Sequence, residues 1–405
     1  MYKADSRIRK AKSARGQPKQ IKHMHFPTQG QTHPQFEPVR EVFQANFTED
    51  ADVGASFAVV RNGELIVDLW GGYLDRDCTT PWTERSLVNL YSTTKGLAAL
   101  AIAWVVEHTD LGYEDEVLRY WPELKAARDG LTVGQLLSHQ GGLCGVDTPV
   151  TVEDLYDWSR MTELLADQEP HWPPGTAAGY HAIVWGYLGG ELVRRITGRT
   201  LGEVFREEIA APLDADCYIG LPEALHGNVA DMIGPNHARI QPDLAALMSM
   251  EMPELYGVAL QNPSIRPYHD ASSAAWRNAE IAAANGQGNA RGIARIYGSV
   301  ACGDEMLLKR NTVDALVREE VAGQSDLVLG RALRRGRGVI LNTDNEYGPN
   351  ASSFGHSGAG GSVGFADPEA VLGGAFAMNQ MQMNLNDDTR MGRLVRVTYE
   401  CLANG

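Results

Sequence analysis

Ser92 and Lys95 are the residues of this chain whose types and spacing best suit chemistry. They bound Ser92-Thr93-Thr94-Lys95, and the apolar run Gly96-Leu97-Ala98-Ala99-Leu100-Ala101-Ile102-Ala103-Trp104-Val105-Val106 follows directly. Residues three apart share a face of a helix, so Ser92 Oγ and Lys95 Nζ can meet. A lysine turned into an apolar site loses hydration and its pKa falls. The neutral amine then takes the proton of a neighbouring hydroxyl, which turns a weak alcohol into a nucleophile. In the first turn of the helix, the macrodipole also favours a developing alkoxide. By itself a Ser-x-x-Lys tetrapeptide is a weak pattern, since an amphipathic helix with a polar start produces it too. The lysine count favours use. Beyond the N-terminal tail only Lys95, Lys125 and Lys309 remain, and one of these three falls in the most apolar helix of the chain. Lysine is excluded from such places unless it is paired or used.

A second candidate is Tyr180, in Trp172-Pro173-Pro174-Gly175-Thr176-Ala177-Ala178-Gly179-Tyr180-His181. Pro-Pro-Gly and Gly179 force a turn, which puts Tyr180 at a loop-to-helix junction. Its phenol can pass protons on if a nearby cation such as Lys95 lowers its pKa. Packing of the ring on the core is the competing reading. His181 is a rival general base, ranked lower because Ala182 and Trp185 make its setting apolar.

The third feature is Phe354-Gly355-His356-Ser357-Gly358-Ala359-Gly360-Gly361-Ser362-Val363-Gly364. So many small residues in a strand imply that something approaches the backbone closely. A strand-edge N–H aimed at a substrate carbonyl would be half of an oxyanion hole, whereas a glycine-rich bulge would serve the fold alone. Gly360-Gly361-Ser362-Val363-Gly364 also matches Gly-x-Ser-x-Gly. That motif needs a strand-to-helix turn and a later acid and histidine. Here another strand follows, and no histidine lies beyond His356, so Ser362 is a weak nucleophile candidate.

These residues must be held by an α+β arrangement. Ser56-Phe57-Ala58-Val59-Val60 and Leu65-Ile66-Val67-Asp68-Leu69 flank Asn62-Gly63, a strong hairpin turn signal. Helix signals dominate from Ser92 to about Ile296, with helices expected at residues 132–138, 152–165 and 182–197, the last closed by Gly198. Residues 361–366 and 370–378 read as a second hairpin, and 387–402 as a closing amphipathic helix. The chain thus predicts an antiparallel sheet built from both chain ends, with a mostly helical domain inserted. The expected boundaries are a disordered basic tail at 1–24, a sheet domain of 25–88 plus 290–405, and a helical domain of 89–289. Met248, Met250 and Met252 read as core or loop residues, with a pocket lining as the alternative.

The 405 residues, 43% hydrophobic, are enough for a sizeable core. The net charge is −15, although residues 1–24 carry eight Lys and Arg against Asp5 alone. An acidic body argues against nucleic acid or an anionic membrane as the main partner. The basic tail reads as an extension before a natural start at Met24. No apolar stretch has the length of a secretory signal or a membrane span. Five scattered cysteines, Cys78, Cys144, Cys217, Cys302 and Cys401, fit free thiols in a reducing cytoplasm.

In this order the motifs resemble those of the serine β-lactamase and penicillin-binding-protein superfamily, and most of all the class C-like family VIII carboxylesterases. The resemblance rests on Ser92-Thr93-Thr94-Lys95, Leu136-Leu137-Ser138-His139-Gln140-Gly141-Gly142-Leu143, Pro174-Gly175-Thr176 leading to Tyr180-His181-Ala182, and His356-Ser357-Gly358, and spans Phe36 to the C-terminus. It implies Ser92 as the acylated nucleophile, Lys95 as its base and Tyr180 as the proton relay. It also implies the N–H groups of Ser92 and Ala359 as the oxyanion hole, with His356, Ser357, Gly358 and His181 contacting substrate. Two departures stand out. Tyr-x-Asn reads Tyr180-His181-Ala182, so the amide-binding Asn is missing. Lys-Thr-Gly reads His356-Ser357-Gly358, so a largely neutral imidazole replaces the cation that would hold a β-lactam carboxylate. Both weaken recognition of an anionic, amide-bearing substrate. The expectation is a cytoplasmic serine carboxylesterase for short, mostly uncharged esters, without metal or organic cofactor. Its partner is the small-molecule ester, not nucleic acid or a membrane, and a homo-oligomer is open. β-Lactam or D-amino-acid peptide hydrolysis, acyl transfer, and a non-catalytic scaffold are the alternatives.

Overall fold

The computed structural model describes residues 26–49, 52–235, 252–303, 306–382 and 389–404. The basic tail, Met248, Met250 and the expected helix start at Asp387 lie outside these residues. In chain order the main elements are β1 (Thr28–Thr32), α1 (Glu37–Glu49), β2 (Gly54–Arg61), β3 (Glu64–Gly72), α2 (Thr93–His108), α3 (Val133–Leu137), α4 (Trp158–Asp167), α5 (Trp185–Thr197), α6 (Ala290–Cys302), β4 (Ile340–Leu341), β5 (Phe354–Ser357), β6 (Val363–Asp367), β7 (Leu372–Met378) and α7 (Thr389–Ala403).

The seven strands form one antiparallel sheet in the order β1-β3-β2-β7-β6-β5-β4. The N-terminal hairpin turns at Asn62 and Gly63, both at positive φ (50° and 79°), as a tight turn matching strand twist requires. The two chain ends meet where β2 pairs with β7, Ala58 opposite Ala375 and Phe57 opposite Phe376. Alternation along these strands sorts the faces. Phe57, Val59, Leu372 and Phe376 join a core with Phe43 of α1 and Leu394 of α7. Ala58, Val60, Ala375 and Ala377 face the larger core, which holds α2 and α6. The second face is small because α6 lies almost on the backbone: a Cβ at Gly373 would stand 2.1 Å from the Gly298 nitrogen, and one at Gly364 2.4 Å from Ile293 Cγ2.

Helix α2 is buried on nearly every side from Thr93 to Ala103, as a helix apolar all round must be. Two expected helices start later than their periodicity suggests. Residues 152–165 split into a 3₁₀ turn, Asp154–Tyr156, and α4, because the Asp157 side chain accepts from the Arg160 N–H at 3.0 Å and caps a new start. Helix α5 begins at Trp185 rather than Ala182, and the Ala182 carbonyl accepts from the Lys95 amine, described below. Its left-handed C-cap is Gly198, φ 70°. Met252 is half exposed, at 50%.

Candidate active site

Ser92 sits at the N-cap of α2 in helical conformation, φ −67° and ψ −11°. It follows a sharp bend at Tyr91, φ 45°. A tyrosine held in the left-handed region needs support from its surroundings. Here the Tyr91 hydroxyl donates to the Pro267 carbonyl, and the Leu90 N–H donates to the Gly286 carbonyl at 2.8 Å.

One helical turn on, Lys95 is 0% exposed. Its Nζ donates to the carbonyls of Ala182 at 2.6 Å and Ala283 at 2.9 Å, and stands 3.3 Å from Ser92 Oγ. Burial first, and the Arg335 charge second, hold the Lys95 pKa well below its ordinary value. A neutral amine has two N–H donors and one lone pair. With both donors on carbonyls, the lone pair remains for the Ser92 hydroxyl proton. The Tyr180 hydroxyl donates to Ser92 Oγ at 2.7 Å, which leaves the serine's own O–H to point at Lys95. The arrangement can therefore move a proton from Ser92 to Lys95 and keep a phenol against the same oxygen.

Tyr180 differs from expectation in one respect. Burial pushes its phenol up to about 12, and Lys95, whose own pKa burial lowers, is not among the charges that offset this. At rest the phenol is a donor. Its position is set by groups that the local sequence does not announce. The Tyr180 N–H donates to Asp326 Oδ1 at 3.1 Å, and Asp326 pairs with the buried Arg335. Lys95 Nζ lies 4.8 Å and the Arg335 guanidinium 5.4 Å from the Tyr180 ring centroid.

The glycine-rich segment turns at Gly358–Gly361 between β5 and β6. The Gly358 N–H donates to the Ser362 carbonyl at 2.7 Å, and the Gly361 N–H to the Gly358 carbonyl at 3.0 Å. Ser362 Oγ donates to the Leu90 carbonyl at 2.7 Å and lies 2.9 Å from Thr93 Oγ1. Ser362 is thus a buried strut between this turn and the two sides of Ser92. A Cβ at Gly358 would stand 2.2 Å from the Leu90 oxygen, so only glycine allows the approach. Arg390 braces the turn from behind, donating to the Gly360 carbonyl at 2.8 Å and pairing with the buried Asp52. Among the described residues the N–H groups of Ser92 and Ala359 have no acceptor.

The residues expected to touch substrate divide. His356 is buried, its Nδ1 2.8 Å from the Ser357 carbonyl and its Nε2 without a partner among the described residues. Burial lowers its pKa to about 3, so it is neutral. Ser357 Oγ donates to Glu346, and both, with Gly358, border a cavity of about 780 Å³ lined also by Met391, Val395 and Tyr399; Ser92, Lys95 and Tyr180 do not line it. His181 lies behind Tyr180 rather than beside it. It is 0% exposed, its Nδ1 lies 2.6 Å from the Gly179 carbonyl, and its ring packs edge-on to His139 and Trp172. Burial lowers its pKa to about 3. Asp326, Arg335, Asp52, Arg390 and Glu346 were not legible beforehand, because each acts through tertiary contacts and none sits in a motif.

A family model described as Beta-lactamase matches residues 42–397. The esterase/beta-lactamase LipL of Mycobacterium tuberculosis is 33% identical over 374 residues, 87% of this chain and 83% of its own length. The crystal structure of a family VIII carboxylesterase superposes with a TM-score of 0.86 at 42% identity, covering 93% of this chain and 100% of the other. A penicillin-binding protein homologue from Caulobacter crescentus gives 0.82 at 38% identity, with coverage of 93% and 100%. The matched span takes in both halves of the sheet, the Ser92 helix and the Tyr180 loop, and the chain belongs to the beta-lactamase family.

Proposed function

We propose that this protein is a serine carboxylesterase acting on short, mostly uncharged esters through an acyl-Ser92 intermediate. One observation carries the reading: a fully buried Lys95 spends its donors on two carbonyls and stands 3.3 Å from a serine hydroxyl that Tyr180 also contacts at 2.7 Å. In this reading Lys95 takes the Ser92 proton as Oγ attacks the ester carbonyl. The tetrahedral oxyanion is bound by the N–H groups of Ser92 and Ala359, aimed where charge develops. Tyr180 protonates the departing alcohol and then guides the water that frees Ser92.

Ester rather than β-lactam preference is supported by Ala182 where an amide side chain would be needed, and by the neutral His356 in place of a fixed cation. The esterase names of relatives at 33% and 42% identity point the same way. LipL is also named a beta-lactamase, and slow turnover of a reactive cephalosporin is the second reading. The ester enters between the helical residues 89–289 and the sheet of 25–88 and 290–405. A cytoplasmic place is supported by the buried thiols of Cys144, Cys217 and Cys401, which form no disulfide, and by the acidic body; no described helix is long and apolar enough to cross a membrane.

The test is hydrolysis of p-nitrophenyl butyrate, with intact mass after fluorophosphonate treatment, for wild type and Ser92→Ala. Turnover and one covalent adduct, both lost in Ser92→Ala, are expected. Activity that survives the substitution would overturn the mechanism.

A further inference from the structure

Four hydrogen bonds converge on Asp326. Oδ1 accepts from the N–H groups of Tyr180 at 3.1 Å, Val328 at 2.9 Å and Leu329 at 2.8 Å, and Oδ2 accepts from Arg335. The Leu327 N–H reaches back to the Ala178 carbonyl at 2.9 Å. The turn carrying Asp326 is therefore stitched to the loop that carries Tyr180. The side chains of Asp326 and Arg335 are 2% and 3% exposed. Taking such a pair out of water is unfavourable, and hydrophobic residues of similar volume are often as stable in its place. A buried pair beside a reacting group thus invites a functional explanation.

We propose that Asp326 and Arg335 are positioning residues for the esterase reaction: Asp326 anchors the Tyr180 backbone, and Arg335, 5.4 Å from the centroid of the same Tyr180 ring that Lys95 Nζ approaches at 4.8 Å, brings a permanent positive charge to the catalytic pair. The inference rests on the Ser92–Lys95–Tyr180 reading given above. The titratable groups around Lys95 are Tyr180, His139, His181, His356, Arg335 and Asp326. Burial keeps the three imidazoles and the phenol neutral near pH 7. Arg335 and Asp326 are then the charged groups of this set, and Arg331 acts on the phenol more weakly than either. Arg335 opposes protonation of Lys95 and lowers the Tyr180 phenol, while Asp326 acts on the phenol in the opposite direction and more weakly. Oδ1 of its carboxylate is held by three backbone donors and Oδ2 by Arg335.

Two substitutions give shifts of opposite sign. Asp326→Asn keeps a carbonyl oxygen for the Tyr180 N–H but leaves Arg335 uncompensated, so the Lys95 ammonium is disfavoured further. The double variant Asp326→Asn with Arg335→Met removes both charges and relieves Lys95. The acid limb of kcat/KM for p-nitrophenyl butyrate reports the base of the free enzyme. It is expected to move to lower pH in the single variant and to higher pH in the double variant, by about one unit each. A pair that merely stabilises the fold would lower the melting temperature or kcat and leave the limb in place. Limbs unmoved in whichever variant folds, or moving in the same direction in both, would overturn the proposal. Failure of the underlying reading is separately visible, as turnover in Ser92→Ala of the otherwise unaltered chain.

Discussion

At Lys95, burial and the Arg335 charge lower the pKa, while two backbone carbonyls fix where the amine hydrogens point. They accept from Nζ at 2.6 and 2.9 Å, which leaves the third position of the nitrogen facing Ser92 Oγ at 3.3 Å. Lys95→Met keeps the bulk of the side chain and removes the base. It is expected to lower kcat/KM by roughly 10²–10⁴-fold, measured with p-nitrophenyl butyrate. Tyr180→Phe removes the hydroxyl that contacts Ser92 and leaves the packed ring. A loss of about 10²–10⁴-fold in kcat is expected, with KM little changed, read from steady-state kinetics. A purely structural tyrosine would lose stability instead of turnover.

Among the elements, the turn between β5 and β6 and the start of α2 behave as one unit, because Ser362 ties them together. Ser362→Ala is expected to lower stability by about 1–3 kcal/mol, as the Thr93 hydroxyl loses its Ser362 partner and the Leu90 carbonyl keeps only the Thr93 N–H. The fluorophosphonate adduct should still form on Ser92. Loss of that adduct with the fold intact would return Ser362 to candidacy as the nucleophile. The packing of α6 on the sheet permits a second prediction. Gly373→Ala would place a methyl 2.1 Å from the Gly298 nitrogen, and such overpacking costs about 1–3 kcal/mol or more. Urea unfolding measures both substitutions. The hairpins at Asn62-Gly63 and around Asp367 were legible as turn chemistry and alternation, which are local. The later starts of α4 and α5 were not, since a cap at Asp157 and a carbonyl lent to Lys95 outweigh apolar periodicity.

For the whole molecule, the buried imidazoles tie folding to pH. His139, His181 and His356 are neutral in the folded chain, and burial holds His181 and His356 near 3. Unfolded, each titrates near 6.5. Between these values the unfolded chain binds more protons, so folding stability is full above about pH 6.5 and falls as the pH drops. The urea midpoint is expected to decline steadily from pH 7 to pH 4.5. His181→Gln should flatten that decline by about one proton's worth of slope. An unchanged slope would mean that His181 is charged in the folded state.

Side-chain type and short-range spacing alone determined the Ser92–Lys95 step along a helix, the Tyr180 junction and the glycine-rich turn, along with the two hairpins. These are one-turn or one-strand relations, which 3.6 and 2.0 periodicities encode directly. The first strand and helix, Thr28–Thr32 and Glu37–Glu49, were not read. Tertiary structure alone decided that Lys95 meets the carbonyls of Ala182 and Ala283, that Tyr180 is held by Asp326 and Arg335, and that Ser362 is a strut. It also buried His181 fully, with its ring against His139 and Trp172. Those contacts join positions dozens to hundreds of residues apart, and their worth depends on burial: charges and hydrogen bonds that water would screen become decisive only once the fold has excluded it.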